Sequence, residues 1–400
     1  MFNNYKQIWV GKGLHAKVRQ AKISFAVYLK LWLINAKISF ENLVLKFFRF
    51  ILYKQLKNHK KILIFRTGSL GDSINALPSI QAVIENYPSA YVDILTNAGK
   101  KNLVGLQYLI KEGLYNEIID YNGLPKRKLF HFLKQKKYDL IIQLPQVDAG
   151  FVKLLRDLIF FRWIAPEGSG WFVSQSKWFK KTQSKYLTFE NENERLLRHM
   201  MEMGYIIKHP FPRLNIQNSD IEFVKNLMLN NNIKKDRIKI CVVIGAKRSQ
   251  NRWPINYFKE VITHFLPRAE IILIGSTEDQ ILSAPLNIAG VTDFCGKLTP
   301  IQSAALISFC DVTLSNDTGP MHMSYAVQTP TIALFSSRDL PGKWYPPENN
   351  NVVFRAKDIK CEACFSEVCK NNICMQAIKP EKVINAMEQL IEMKVSDCKI

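Results

Sequence analysis

The stretch that decides the fold is Lys61-Ile-Leu-Ile-Phe-Arg-Thr-Gly-Ser-Leu-Gly-Asp72, an apolar run that ends in a glycine-containing turn. The run lacks the polar alternation of a half-exposed strand, and this predicts a strand that is buried on both faces of a parallel sheet. A helix-like stretch follows to about residue 86. Strand, turn and helix in this order predict the first unit of a doubly wound α/β sheet.

The same alternation continues along the chain and then occurs a second time. Further strand-like runs of the first series lie at 91–96, 117–121 and 138–144. Those of the second series lie at 238–244, 270–275, 291–294, 311–315 and 331–335. We therefore predict two Rossmann-like domains, 61–215 and 236–380, that face each other across a cleft, with residues 381–400 forming a C-terminal helix and tail.

Composition excludes several classes of protein. The 400 residues are 47% hydrophobic and 22% charged, which excludes a wholly disordered chain. Eighteen glycines and 17 prolines are too few for collagen, and eight cysteines are too few for a disulfide scaffold. The formal net charge of +21 raises the question of nucleic-acid binding, but no recognised binding motif accompanies it.

Much of this charge lies in an N-terminal arm, residues 1–60. Residues 1–61 hold 13 Lys and Arg against one acid, Glu41, a net of 13 − 1 = +12. Lys30, Lys37, Lys46 and Arg49 interrupt the apolar stretches, so no run is long enough to cross a bilayer. We expect two amphipathic helices, roughly 18–40 and 42–57, because the polar positions change face between them. Such basic, aromatic helices suit an anionic membrane surface; packing on the main body is the alternative.

The turn after the first strand is the first candidate site. Thr67, Gly68, Ser69 and Gly71 shape it, and Asp72 follows at the start of a helix. It matches neither the P-loop nor the dinucleotide fingerprint. Asp72 can cap the helix, or it can take a proton from a substrate hydroxyl at the edge of the cleft.

The second candidate is Ser315-Asn-Asp-Thr-Gly-Pro-Met-His322, which follows an apolar strand. Gly319 keeps the backbone open, and Pro320 is tolerated in a first helical turn. The N–H groups and the positive end of a helix at such a turn predict a phosphate site. An ordinary turn, with His322 bonded locally, is the alternative.

The loop Gly245–Pro254 places the cations Lys247, Arg248 and Arg252 between a strand and a helix. Cations at this edge of a sheet can neutralise a diphosphate. The alternative is a solvated loop that is anchored by Trp253.

Half of the cysteines lie within fourteen positions, at Cys361, Cys364, Cys369 and Cys374. Four thiols at short spacing can form a structural zinc site or a redox staple, or they can remain reduced. Cys241, Cys295 and Cys310 fall in strand or helix patterns and are predicted to be buried small hydrophobes.

Taken together, these stretches resemble glycosyltransferase family 9, the heptosyltransferases of bacterial lipopolysaccharide synthesis. The resemblance rests on residues 62–72, 251–254, 315–322 and 329–335, supported by Cys374-Met375 and Pro380-Glu381. It covers about residues 61–392 and leaves the basic arm outside.

The resemblance implies a GT-B fold and an inverting transfer from a nucleotide-sugar, with ADP-heptose as the expected donor and no required cofactor or catalytic metal. Asp72 would be the general base on the acceptor hydroxyl. Thr318 and Gly319 would offer backbone N–H groups to the diphosphate, while Asp317 holds sugar hydroxyls and His322 supports the site. The family often has Lys where this chain has Asn251, and Lys247, Arg248 or Arg252 would supply that charge.

The resemblance also sets the expected surroundings of the protein. The acceptor would be a glycolipid or oligosaccharide of the lipopolysaccharide core, reached from the cytoplasmic face of the inner membrane. Peripheral attachment would use the basic arm. Two alternatives stay open: a catalytically degenerate scaffold for glycan assembly, and a GT-B-like nucleotide-sugar epimerase.

Overall fold

The computed structural model describes residues 16–18, 24–97, 105–109, 115–174, 187–348 and 350–397. The chain divides into two compact units. The first is Met1–Pro212 with Leu340–Lys343, and the second is Arg213–Asp339 with Trp344–Ile400.

The helices and strands of the first unit are β1 (Ala16–Val18), α1 (Phe25–Leu52), β2 (Lys61–Phe65), α2 (Leu70–Asn86), β3 (Tyr91–Thr96), β4 (Glu117–Asp120), α3 (Lys126–Gln135), β5 (Leu140–Gln143), α4 (Phe151–Arg162), β6 (Glu167–Ser169), β7 (Leu187–Phe189) and α5 (Glu192–Glu202). Five of these strands form a parallel sheet in the order β4-β3-β2-β5-β6, while β1 and β7 form a separate antiparallel pair. The predicted first strand, β2, therefore lies at the centre of the sheet, where the direction of winding reverses. Ligands bind at such a point in doubly wound sheets.

α1 corrects one prediction. Instead of two helices, residues 25–52 form a single one, which begins after Ser24. Two of the polar residues that suggested a break face inward: Asn42 bonds to the backbone of Val173, and Arg49 bonds to that of Gly168. Lys46, which lies between them in the sequence, is exposed. The sequence argument failed because it assumed that all polar side chains of a helix must share its solvent face.

The helices and strands of the second unit are α6 (Asn218–Asn230), β8 (Ile238–Val243), α7 (Ile255–Phe265), β9 (Ala269–Leu273), α8 (Gln280–Ser283), β10 (Val291–Asp293), α9 (Pro300–Ser308), β11 (Val312–Asn316), α10 (Gly319–Ala326), β12 (Thr331–Phe335), β13 (Asn351–Arg355), α11 (Ile373–Gln376) and α12 (Pro380–Asp397). All six strands are parallel, in the order β10-β9-β8-β11-β12-β13. The winding direction reverses between β8 and β11, so the loops after these two strands emerge side by side.

Both sheets are covered by apolar side chains. In the second unit, Val383, Met387 and Leu390 of α12 join the core that the strands and α7 form. In the first unit, one apolar cluster includes Leu45 of α1, and another contains Ile80 of α2. The predicted α/β class with doubly wound parallel sheets is confirmed.

Candidate functional site

The first candidate site is the turn between β2 and α2, where the five predicted residues lie together. Ser69 precedes α2, and Asp72 is the third residue of that helix. The Asp72 carboxylate accepts hydrogen bonds at Oδ2 from the Ser69 backbone N–H (2.9 Å) and from Ser69 Oγ (2.8 Å). Asp72 therefore does cap the helix start, and its side chain keeps 16% of its surface exposed. Capping orients the carboxylate without closing it off from a substrate.

Gly68 is required by close packing at this turn. Its φ is +155°, and a Cβ at this position would lie 2.3 Å from Cβ of Asp72. The side-chain amide of Asn97 clamps Gly68: its Oδ1 accepts from the Gly68 N–H (2.7 Å), and its Nδ2 donates to the Gly68 carbonyl (3.0 Å). A larger residue at 68 would displace the Asp72 carboxylate.

A buried ionic network lies beneath Asp72. Arg66 is 1% exposed, and its Nη2 donates to the Asp72 carbonyl (2.9 Å) and to Glu192 Oε1 (3.1 Å), with Asp72 Oδ1 at 3.5 Å. Glu192 also accepts from Arg195, at Nε (2.6 Å) and Nη2 (2.8 Å). Buried charges are stable only when they are paired and hydrogen-bonded, and Glu192 pairs with both Arg66 and Arg195. The network fixes the start of α2, and with it the position of Asp72.

The second candidate site is the turn between β11 and α10, where the motif 315–322 lies. Asn316 is fully buried; its Nδ2 donates to the Ile244 carbonyl (2.7 Å), and its Oδ1 accepts from the Trp253 backbone N–H (3.0 Å). These bonds join the turn to the loop after β8. The two sequence motifs of the second unit therefore form one site.

Asp317 and Asn251 form the polar centre of this site. Asn251 Nδ2 donates to Asp317 Oδ2 (3.1 Å), and its Oδ1 accepts from Ser336 Oγ (2.7 Å). Thr318 and Gly319 lie half-buried at the start of α10. The first N–H groups of a helix have no acceptor within the helix, which makes this turn suited to an anion.

His322 lies one turn into α10 and is buried. Its Nδ1 lies 2.8 Å from the Tyr325 hydroxyl, and its ring meets the Trp344 ring edge-on. Desolvation by burial lowers the pKa of His322 to about 3, so the ring is neutral at pH 7. It can support the turn by packing and hydrogen bonding rather than by charge.

The three predicted cations have different surroundings. Lys247 is exposed, Arg248 pairs with Glu367 (3.3 Å), and Arg252 is half-buried, with its Nε donating to the Ala246 carbonyl (2.9 Å). Sequence analysis missed a fourth cation, Arg338, which follows β12 and donates from Nη2 to Glu367 Oε1 (2.5 Å). The position of Arg338, three residues beyond a buried strand of the second series, was the available signal.

The Cys segment does not support the suggested zinc site. Cys374 is buried, Cys361 is half-buried, and Cys364 and Cys369 are exposed. In the part of the chain that the structure describes, no three His, Cys, Asp or Glu side chains are placed to hold a metal ion. Desolvation by burial raises the pKa of the Cys374 thiol. Cys241, Cys295 and Cys310 are buried, as predicted.

The Cys segment does position the loop that follows β8. Gln250 Nε2 and Arg338 Nε both donate to the Ser366 carbonyl (3.1 and 2.6 Å), and Asn372 Nδ2 donates to the Arg252 carbonyl (2.9 Å). The segment that contains the cysteines therefore supports the cations of the candidate site.

Known proteins resemble this chain in sequence. The profile of "Glycosyltransferase family 9 (heptosyltransferase)" matches residues 126–374, more than half of the chain. Lipooligosaccharide heptosyltransferase 2 of Campylobacter jejuni subsp. jejuni serotype O:6 is 26% identical over 350 residues, which cover 82% of this chain and 99% of that protein.

Two solved structures share the fold. A glycosyl transferase family 9 protein from Veillonella parvula superposes with a TM-score of 0.65 at 17% identity, covering 84% of this chain and 97% of its own. The E. coli ADP-heptose lps heptosyltransferase II superposes with a TM-score of 0.60 at 20% identity, covering 84% and 99%. With the two parallel sheets, these likenesses confirm the predicted GT-B fold.

Proposed function

The chain belongs to glycosyltransferase family 9, and on that premise we propose that it transfers a heptose from ADP-heptose to a lipopolysaccharide or lipooligosaccharide core, with inversion at the anomeric carbon. The names of the relatives supply the sugar, the nucleotide and the acceptor class. The observation that carries the proposal is the Asp72 carboxylate, which is oriented by Ser69 and Arg66 at the switch point of the first sheet and remains partly exposed.

Asp72 is the general base in this proposal. As the acceptor hydroxyl oxygen attacks the anomeric carbon, the bond from that carbon to the diphosphate oxygen breaks and ADP leaves. The hydroxyl proton passes to Asp72. A carboxylate in hydrogen-bond reach of the hydroxyl lowers the barrier because the oxygen is a better nucleophile as it loses its proton.

The second unit binds the donor. Backbone N–H groups at Thr318 and Gly319 face the charge that grows on the leaving diphosphate, and Lys247, Arg248, Arg252 and Arg338 neutralise it. Asp317 accepts from the sugar hydroxyls, while the neutral ring of His322 holds the start of α10.

Asn251 adapts the donor site to the loss of the lysine that the family often has there. An amide can bridge Asp317 and Ser336 in both directions, as a donor and as an acceptor, which a lysine cannot do. Arg338 supplies a cation from the neighbouring strand end. The site therefore keeps its polar groups hydrogen-bonded although the lysine is absent.

The test is transfer by the purified full-length protein from ADP-heptose and from UDP-sugars to lipid-free, truncated core oligosaccharides. We expect product with ADP-heptose, and we expect Asp72→Asn to lower kcat by about 10²- to 10⁴-fold while donor-dependent thermal stabilisation persists. Asp236→Asn, at an exposed acid before β8, is the matched control and should keep full turnover.

Each alternative outcome has a distinct meaning. Unchanged turnover in Asp72→Asn would refute the base assignment. A scaffold would show no stabilisation by any nucleotide-sugar, and an epimerase would convert the donor without an acceptor.

A further inference from the structure

α1 has two apolar faces, and one of them packs against the rest of the first unit. Leu31, Ile38 and Leu45, which lie seven residues apart, are 0%, 5% and 1% exposed. On the same face, Asn42 exchanges two hydrogen bonds with the backbone of Val173 (3.3 and 2.7 Å), and Arg49 Nε donates to the Gly168 carbonyl (2.8 Å). These contacts fix the rotation of the helix about its axis and so determine which face points away from the unit.

The outward face is apolar along the whole helix. Residues at helical spacing on it are between 50% and 84% exposed: Phe25, Trp32, Leu33, Phe40, Leu43, Phe47, Phe50 and Ile51. Residues 25–51 span about 40 Å at the rise of an α-helix. Single exposed apolar residues are ordinary, but a continuous strip of this length marks a surface that is covered in use.

Lysines flank this strip on both sides. At 100° per residue, Lys30 and Lys37 lie along one margin of the outward face and Lys46 lies along the other. Glu41, the only acid of the helix, lies on the margin of Lys37 and is half-buried. An apolar strip with bulky aromatics and lysine margins is the pattern of a helix that lies in the plane of a membrane interface.

A lipid surface fits this face better than a second copy of the chain. Pairing two copies along the strip would bring lysine margins against lysine margins, whereas anionic headgroups complement them. Spanning is not an option for α1, because no helix in the described part of the chain is both long enough and apolar enough to cross a membrane.

We propose that α1 docks in the plane of an anionic lipid bilayer, with the Phe25–Ile51 strip among the upper acyl chains and the lysines at the headgroups. The net charge of +12 over residues 1–61 adds long-range attraction. The docking itself is argued from α1 alone. Its purpose, to bring the first unit to a glycolipid acceptor, rests on the proposed function.

The experiment is co-sedimentation of the full-length protein with vesicles of phosphatidylcholine alone or with 30% phosphatidylglycerol. Phe40→Glu with Phe47→Glu should lower partitioning into the anionic vesicles at least tenfold. Lys37→Gln should lower the same partitioning about fivefold, and the decrease should be smaller at high salt. Leu229→Glu with Ile281→Glu, at exposed apolar sites of the second unit, is the matched control with the same change in charge and should bind like the parent. Substitution is preferable to deletion because Leu31 and Leu45 belong to the core.

The outcomes separate docking from catalysis. Binding by Phe40→Glu/Phe47→Glu that equals the control, or parent binding that is the same on neutral vesicles, would overturn the proposal. If the parent is a dimer in sedimentation velocity and Phe40→Glu/Phe47→Glu is a monomer that still binds vesicles, the outward face of α1 binds a second copy of the chain instead. Transfer to a lipid-free acceptor should be unchanged in this variant. If no variant transfers heptose while vesicle binding behaves as expected, the proposed function fails and the docking stands.

Discussion

The turn at Arg66–Asp72 is built on charged side chains, whereas the turn at Asn316–His322 is built largely on amides, hydroxyls and a neutral ring. Beneath the first, Glu192 lies between two buried arginines. In the second, Asn316 and Asn251 bond to backbone and to neighbouring side chains, and His322 is uncharged. The difference fits the two proposed roles, because a carboxylate that acts as a general base must be held in one orientation, while a diphosphate is best bound by N–H groups and cations.

The largest expected effect tests whether the first turn depends on its ionic network. Glu192→Ala leaves Arg66 and Arg195 buried without their carboxylate, so we expect the free energy of unfolding to fall by about 3–5 kcal/mol. Urea denaturation followed by circular dichroism measures the loss. Glu190→Ala, which removes the partly exposed partner of Arg198, is the control and should cost at most about 1 kcal/mol. Equal losses in the two variants would show that burial of the network contributes nothing.

A smaller effect tests the neutral character of the second turn through pH. The folded protein holds the pKa of His322 at about 3, whereas an unfolded histidine titrates near 6.5. Below pH 6.5 the unfolded chain binds a proton that the folded chain does not, so stability falls as the pH falls, by about 1.4 kcal/mol per pH unit. His322→Gln removes this contribution.

The measurement is the denaturation midpoint at several pH values between 7 and 4.5. Between these pH values, the free energy of unfolding of His322→Gln should fall by about 2–3 kcal/mol less than that of the parent protein. His131→Gln, at an exposed ring of α3, should retain the parent slope. A parent slope in His322→Gln would mean that the buried ring is not the source of the acid sensitivity.

The smallest effect concerns the amide that links Asp317 to Ser336. Asn251→Ala removes both hydrogen bonds, and a loss of about 1–2 kcal/mol corresponds to a 5- to 30-fold increase in KM for the donor. Because the first turn is unaltered, kcat at saturating donor should change little. Asn287→Ala, at an exposed position of the second unit, is the control. A fall in kcat with unchanged KM would place Asn251 in the chemical step instead.

Sequence analysis located the strands and turns well because their signals are local. Residues 91–96 and 331–335 have the predicted strand bounds, and Asp72, Asp317 and His322 follow buried strands, as expected. β13 and α6 were missed. α6 lies in the interval between the two predicted domains, 61–215 and 236–380, where the sequence analysis predicts no helix or strand.

The supporting residues of the site could not be predicted in the same way. Glu192 lies 126 positions from Arg66, and Asn97 lies 29 positions from Gly68. Nothing near these residues in the sequence marks them as partners. Arg338 follows a predicted strand, but the sequence does not show that its partner is Glu367, which lies on another loop.

The sequence by itself determined two doubly wound sheets. It also placed a carboxylate after a central strand of one sheet and a turn suited to an anion after a strand of the other. It could do so because apolar runs, glycine turns and helix starts depend on neighbouring residues. Only the tertiary structure decided what holds Asp72 in place and which face of α1 points outward. A buried charge or amide must find partner atoms, and folding brings those atoms from distant parts of the chain.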